Sequence, residues 1–240
     1  MNIFNLKKEL QEKFPYRIEM HSHTYPVSSC SEHTPEAIVK KYKELNFDAV
    51  VITNHFISHR FGSMPKEEAI QWYVKDYYDA VNAAKKLNIK VLLGAEIRFD
   101  ENCNDYLLYG ADEEILKTCF DYIHKNLKTF REEVKLNDSV LVQAHPFRDN
   151  VTAVDASLVD GFETFNMHQY HNERNGLSVQ YAKNNGVKIK TIGTDYHHVS
   201  QEGFSALRTA VLPNNSFELA EILKSGNYIL EISDDALILP

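Results

Sequence analysis

Residues 48–55 read DAVVITNH: four apolar residues in a row, then the polar exit Thr53-Asn54-His55. A run that short, apolar on both faces, has the texture of a parallel strand covered on both sides. KVLLGA at 90–95 and SVLVQA at 139–144 repeat it, and further strands are read at 16–20, 105–109, 159–165, 187–192 and 228–232. Longer segments of helical period separate them, at 35–45, 66–87, 113–136, 173–185 and 217–224. Thr34 is placed to cap the first of these, with Pro35 in the favoured first position. Strands alternating with helices predict βα units. Seven or eight strands in 240 residues fit a compact (β/α) barrel better than a doubly wound sheet, although periodicity alone does not close a sheet.

Composition narrows the function classes. The chain has 34 Asp+Glu against 26 Lys+Arg, a formal charge of -8, and no run of basic residues. Nucleic acid and membrane surfaces are therefore poor partners, and a small substrate is expected. The 3 cysteines are widely spaced without a CxxC pair, which speaks against a disulfide framework and a structural zinc knuckle. The opening MNIFNLKKELQEKF reads as an amphipathic helix, not a secretion signal, and a single cytoplasmic domain over 1–240 is the expectation.

The residues at the end of each strand are the informative ones. These ends carry His21 and His23, then His55, Glu96, His145, then Glu163, Asn166 and His168, and finally Asp195 and His197. In α/β sheets and barrels such ends gather on one face. With His171 and His198 close behind the last two ends, 8 of the 11 histidines fall at such places, and only His33, His59 and His124 fall elsewhere. His21 and His23 lie two apart, and side chains on a strand repeat every second residue, so both rings can face one ion. Asp195 and His197 repeat the spacing. Imidazole and carboxylate suit zinc, manganese or iron, and the donors outnumber what one tetrahedral ion accepts, so at least two ions are expected with Glu96 as a bridge.

Each residue alone has a plainer explanation. His21-Ser-His23 can simply begin a loop, and Pro146 can mark an ordinary strand exit. Glu96 can pair with Arg98 at the surface, and Asp105 or Asp195 can cap a turn. It is the joint occurrence at six strand ends that favours a metal centre.

Five motifs in order, HSHT at His21, TNH ending at His55, GAEIRF around Glu96, AHPFR around His145 and GTDYH around Asp195, resemble those of the PHP family, named for polymerase and histidinol phosphatase. The resemblance spans His21 to His198. It implies a distorted (β/α)7 barrel with two or three divalent ions (zinc, manganese or iron) at its mouth, and metal-dependent phosphoesterase activity. It also implies a ligand set: His21, His23, Glu96 and Asp195 around one ion, Glu96 and His145 around a second, His55 and His197 around a third. Glu96, Asp195 and His197 are the implied catalytic residues. Asp105 stands near a further ligand position. The departure is SSCSEH, where the family often has Asp or His and this chain offers Ser29, Cys30, Glu32 and His33.

Divalent ions lower the pKa of bound water from about 15.7 to about 7, so the expected nucleophile is hydroxide. No GxSxG elbow or phosphate-cradling glycine loop competes with that reading. The expected substrate is a small phosphate monoester, histidinol phosphate among those the resemblance admits. Arg148, three residues past His145, is the expected phosphate-binding cation, with His168 beside it. Arg98, Arg60 and His59 are weaker choices, and the HFISHRFGSMP loop is an expected rim. An amidohydrolase-type metalloenzyme and a metal-binding scaffold without turnover are the alternatives.

Overall fold

Strand directions in this chain are mixed, although its strands and helices alternate as the sequence pattern demands. The computed structural model describes residues 2–240. In order, the elements are α1 (Ile3–Lys13), β1 (Tyr16–Ser22), α2 (Pro35–Glu44), β2 (Ala49–Ile52), β3 (His55–Ile57), α3 (Ser58–Phe61), α4 (Lys66–Ala84), β4 (Lys90–Leu93), β5 (Ala95–Arg98), β6 (Tyr106–Tyr109), α5 (Glu113–Tyr122) and α6 (Leu127–Glu133). They continue as β7 (Val140–Gln143), a 3-10 turn (Ala156–Leu158), β8 (Gly161–Asn166), α7 (Asn175–Asn184), β9 (Ile189–Gly193), β10 (Ser205–Thr209), α8 (Ser216–Ser225), β11 (Tyr228–Ile232) and β12 (Ala236–Ile238). No helix among the described residues is long and apolar enough to cross a membrane.

Two six-stranded sheets, ordered β12-β11-β10-β1-β2-β4 and β3-β5-β6-β7-β8-β9, join to close the barrel. At one seam β2 passes into β3 and β4 into β5, with Gly94 N–H donating to Ile52 O and Glu96 N–H to Asn54 O, each at 3.0 Å. At the other, Ser22 bridges Tyr196 in parallel and His23 N–H donates to Tyr196 O at 3.1 Å. The staves are thus β1, β2 with β3, β4 with β5, β6, β7, β8 and β9. This is the distorted TIM-like barrel that the sequence pattern and the resemblance led us to expect.

Alternate strand residues serve different cores, which is why these strands are apolar throughout. Val51 packs in the same cluster as Met20, Val142 and Ile192, whereas Val50 and Ile52 pack with Ile38, Val39 and Tyr42 of α2. Likewise Leu107 and Tyr109 join the first cluster, and Tyr106 and Leu108 a third cluster with Tyr73 of α4 and Leu116 of α5. Leu219, Ala220 and Leu223 of α8 pack in the same cluster as Val51. Burying one such side chain stabilises by about 1.5–3 kcal/mol.

Several elements differ from the sequence reading. The run at 90–95 is two strands, broken at Gly94, where a Cβ would lie 3.0 Å from Thr53 Cγ2 and 3.1 Å from Leu108 O. The segment at 113–136 is two helices because Asn126 caps α6, accepting from Thr129 N–H at 2.8 Å. Strands β3, β10 and β12 are additional. β6 runs antiparallel to β5 and β7, and β10 antiparallel to β1. Residues 99–105 between β5 and β6 are too few for the crossover of a dozen or more residues that a parallel pair needs.

Candidate metal centre

The barrel mouth gathers every expected ligand. On β1, Ser22 turns away and its Oγ donates to Val51 O at 2.6 Å, leaving His21 and His23 on one side with ring centroids 5.1 Å apart. His55 opens β3 directly opposite Glu96 on β5. His145 follows β7 and Asp195 follows β9, both with positive φ, +30° and +53°. The left-handed region costs an ordinary side chain about 1–3 kcal/mol and persists only where surroundings enforce it.

Glu96 is the hub. Its Oε1 lies 3.0 Å from His145 Nε2 and 3.3 Å from His21 Nε2, and its Oε2 lies 2.7 Å from His55 Nδ1 and 3.5 Å from His23 Nε2. Asp195 Oδ1 is 3.4 Å from His21 Nε2 and 3.3 Å from both His23 Nε2 and His197 Nδ1. Four overlapping groups result, within each of which the donor atoms lie no more than 4.8 Å apart: His21, His23, Glu96; Glu96, Asp105, His145; His23, His55, His197; and His168, Asp195, His197.

The donors fit divalent cations. His21 Nε2 and His23 Nε2 are buried without a hydrogen-bond partner, a costly condition that a cation relieves. Burial pushes the Glu96 carboxyl up, but His21 and His55 outweigh it and hold the group well below the ordinary carboxylate value. His21 and Arg148 do the same for Asp195 against its own burial. Burial, with His197 and His55 alongside, holds His23 well below the ordinary histidine value. Ionised carboxylates beside a neutral imidazole are the donor types that zinc, manganese and iron accept.

Supporting residues fix the ligands. Glu163 Oε1 accepts from His21 Nδ1–H at 2.9 Å, which leaves Nε2 for the cluster, and its Oε2 accepts from His145 backbone N–H at 2.9 Å. Glu19 accepts from the backbone N–H groups of His21 and Thr194, both at 2.9 Å, tying β1 to the exit of β9. Thr24 donates to Asp76 at 2.9 Å and accepts from Asn54 at 2.7 Å, steadying the turn after His23. Sequence reasoning marked Glu163 only as a strand-end residue and missed Glu19 and Asp76, whose signal is tertiary.

A cavity of 340 Å³ opens above the cluster, lined in part by Cys30, Arg98, Arg148, His168, His171 and His198. Larger hollows of 560 and 530 Å³ elsewhere have no such convergence of donors. Arg148, expected to be free for phosphate, is engaged: Nη2 contacts Asp195 Oδ2 at 2.5 Å and Glu173 Oε1 at 2.9 Å. Arg98 clasps Asp105 through two hydrogen bonds of 2.7 and 2.6 Å, so Asp105 stands 3.8 Å from His145 Nε2 and Arg98 does not pair with Glu96. Burial holds His168 down at about 3, a neutral ring at the mouth. For Cys30, burial pushes the thiol up, but His197 and His55 beside it hold it at about 6. His59 and Arg60 do not line the cavity.

Comparison with known proteins agrees with this geometry. A 151-residue stretch is 28% identical to the PolC-type DNA polymerase III of Clostridium perfringens, covering 62% of this chain but only 9% of the polymerase. The fold is similar to a two-domain protein of Bacteroides vulgatus described as containing a predicted PHP-like metal-dependent phosphoesterase, with a TM-score of 0.63, 15% identity, and coverage of 90% of this chain and 64% of that one. It is also similar to PsfC from Pseudomonas syringae, with a TM-score of 0.58, 15% identity, and coverage of 85% and 87%. This chain therefore spans less than two thirds of the polymerase and of the two-domain protein. The PHP domain model matches residues 19–235, and the chain belongs to the PHP domain family.

Proposed function

We propose that the chain is a metal-dependent phosphoesterase that hydrolyses a small phosphate monoester. The observation that carries this reading is Glu96, a buried carboxylate whose oxygens lie between 2.7 and 3.5 Å from ring nitrogens of four histidines. That environment suits a bridge between cations. His21, His23, Glu96 and Asp195 would hold one ion, Glu96, His145 and Asp105 another, and His55 with His197 a third. Bound ions would supply Lewis-acid charge and an activated water at neutral pH.

The chain's own side chains set the remaining terms. Glu96, Asp105 and Asp195 line the cavity beside Arg98 and Arg148, and Glu173 pairs with Arg148, so both guanidinium groups are already matched by carboxylates. Bound divalent cations would add the positive charge that a phosphate dianion needs. Arg148 holds Asp195 in place and presents its charge to the cavity, and His168 offers a neutral hydrogen-bonding ring. A volume of 340 Å³ is at the small end of ligand sites, which run to about 1,000 Å³. With a charge of -8, neither nucleic acid nor a membrane surface is the proposed partner, and a cytoplasmic location is proposed with it.

The test is turnover of a phosphomonoester panel, histidinol phosphate included, by protein loaded with manganese, zinc or iron. The expected result is hydrolysis that Glu96→Gln lowers by at least about 100-fold. A fully loaded protein inert towards every monoester, or turnover that survives the substitution, overturns the reading.

A further inference from the structure

The segment where the family ligand is missing places one unassigned donor at the centre. Of Ser29, Cys30, Ser31, Glu32 and His33, only Cys30 lines the cavity. Glu32 pairs with His198 at 3.2 Å, His33 stacks on Tyr196 with ring centroids 4.7 Å apart, and Ser31 Oγ donates to His23 O at 2.9 Å. Cys30 lines the cavity together with His55 and His197, its thiol beside both rings. With His23 those rings form a group whose donor atoms lie within 4.8 Å of one another. His23 is fully buried, and its Nε2, without a hydrogen-bond partner, faces the group.

A cation held by the imidazoles of His55 and His197 alone is short of the four ligands that zinc takes, and a thiolate is among those it accepts. We propose that the sulfur of Cys30 joins His55 and His197 at the third cation position, making it a mixed sulfur–nitrogen site selective for a soft divalent ion, zinc above manganese. Binding forms one metal–sulfur bond to the thiolate, the protons that the three donors carry pass to solvent, and nothing is oxidised. The positions around Glu96 have only nitrogen and oxygen donors and lack the added preference that sulfur gives. The inference rests on the metal-centre reading above and adds to it a ligand of different chemistry.

Cobalt(II) chloride titrated into the chelator-stripped protein tests it, because a thiolate bound to cobalt gives a near-ultraviolet charge-transfer band that nitrogen and oxygen ligands do not. The expected result is such a band in the native protein, its loss in Cys30→Ser together with loss of about one equivalent of bound metal, and its retention in Cys103→Ser. Cys30 is exposed, so the metal-free variant should melt with the native protein. Cys30→Asp should restore the equivalent without the sulfur band, as a ligand role requires and a merely structural role does not. Visible cobalt absorption without a sulfur band, or a band that survives Cys30→Ser, overturns the inference and leaves the metal-centre reading standing. A folded protein that takes up no cobalt overturns both.

Discussion

Glu163→Gln keeps the size of the side chain and removes one acceptor from beneath the centre. The carboxylate receives three donors: His21 Nδ1–H on Oε1, and His145 N–H and Asn166 Nδ2 on Oε2, each at 2.9 Å. An amide has one oxygen, so either orientation sets a donor against a donor. With the nitrogen towards His21, the imidazole must switch tautomer and protonate Nε2, the atom that faces Glu96 and Asp195. With the nitrogen towards His145, a backbone N–H loses its acceptor at a residue already held at φ +30°. Hydrogen bonds to charged groups contribute about 1.5–3 kcal/mol, and loss of a carboxylate behind a ligating histidine lowers metal affinity by about 10–100-fold. Competition between the stripped protein and a chromogenic zinc chelator measures it. The expected result is an affinity loss in that range with native far-ultraviolet circular dichroism. Affinity within about twofold of native would refute the reasoning.

Three further outcomes rest on the same geometry. In Gly193→Ala the added Cβ, on β9, would meet His21 Cβ of β1 and lie 2.5 Å from Glu163 Oε1 of β8. Overpacking of about 1–3 kcal/mol, at about 2–4 °C per kcal/mol for a chain of this size, predicts a lower melting temperature together with weaker metal binding, and an unchanged calorimetric scan would sink it. In the metal-free protein burial pulls His55 and His197 down, but Glu96 beside the first and Asp195 beside the second carry them to about 9 and about 10. Both rings then hold protons at neutral pH, so a cation binding there must release two. Its affinity should fall as pH drops below 9, by about 100-fold per unit, and isothermal titration in buffers of differing ionisation heat counts the protons; an affinity flat from pH 9 to 6 would contradict it. Finally, metal at about 100 times its Kd should stabilise the fold by about 2.7 kcal/mol, seen as a melting temperature that rises with metal and returns on chelation; no rise would count against preformed sites.

The barrel strands and most ligands were legible because their signals are local. AVVI at 49–52 is apolar on both faces, and the two-residue spacing of His21 and His23 is the strand period itself. β10 was not legible: SALRT buries Arg208, which is held by Glu231 of β11, and a buried charge hides the apolar alternation that marks a strand. Arg148 was legible as a cation near the site but not as a partner of Asp195, 47 positions away, because pairing across that separation belongs to the tertiary fold. Glu163 failed for the same reason, its role arising from two donors on β1 and beyond β7. Asp105 was read as either ligand or cap, and the clasp from Arg98 explains the ambiguity: the carboxylate is buried beside the centre while most of its hydrogen bonding goes to the guanidinium.

The mixed strand directions have a functional consequence. In a barrel of parallel strands the ligands would sit at strand ends, on loops free to relax. Here Glu96 lies within β5, flanked by a parallel bond to β3 and an antiparallel one to β6, and cannot move without breaking both ladders. The ligands that do come after strand ends are anchored by other means. His145 is held at positive φ by its N–H bond to Glu163, with Arg148 N–H donating to its carbonyl at 3.0 Å, and Asp195 is followed at once by Tyr196, whose N–H donates to His21 O at 3.2 Å. His145 is thus bonded to Glu163 on β8, and Asp195, through Tyr196, to β1, so backbone strain of about 1–3 kcal/mol is sustained by the barrel wall. A centre built this way should keep its shape when emptied, and the unpartnered nitrogens at its mouth are what remains for cations to satisfy.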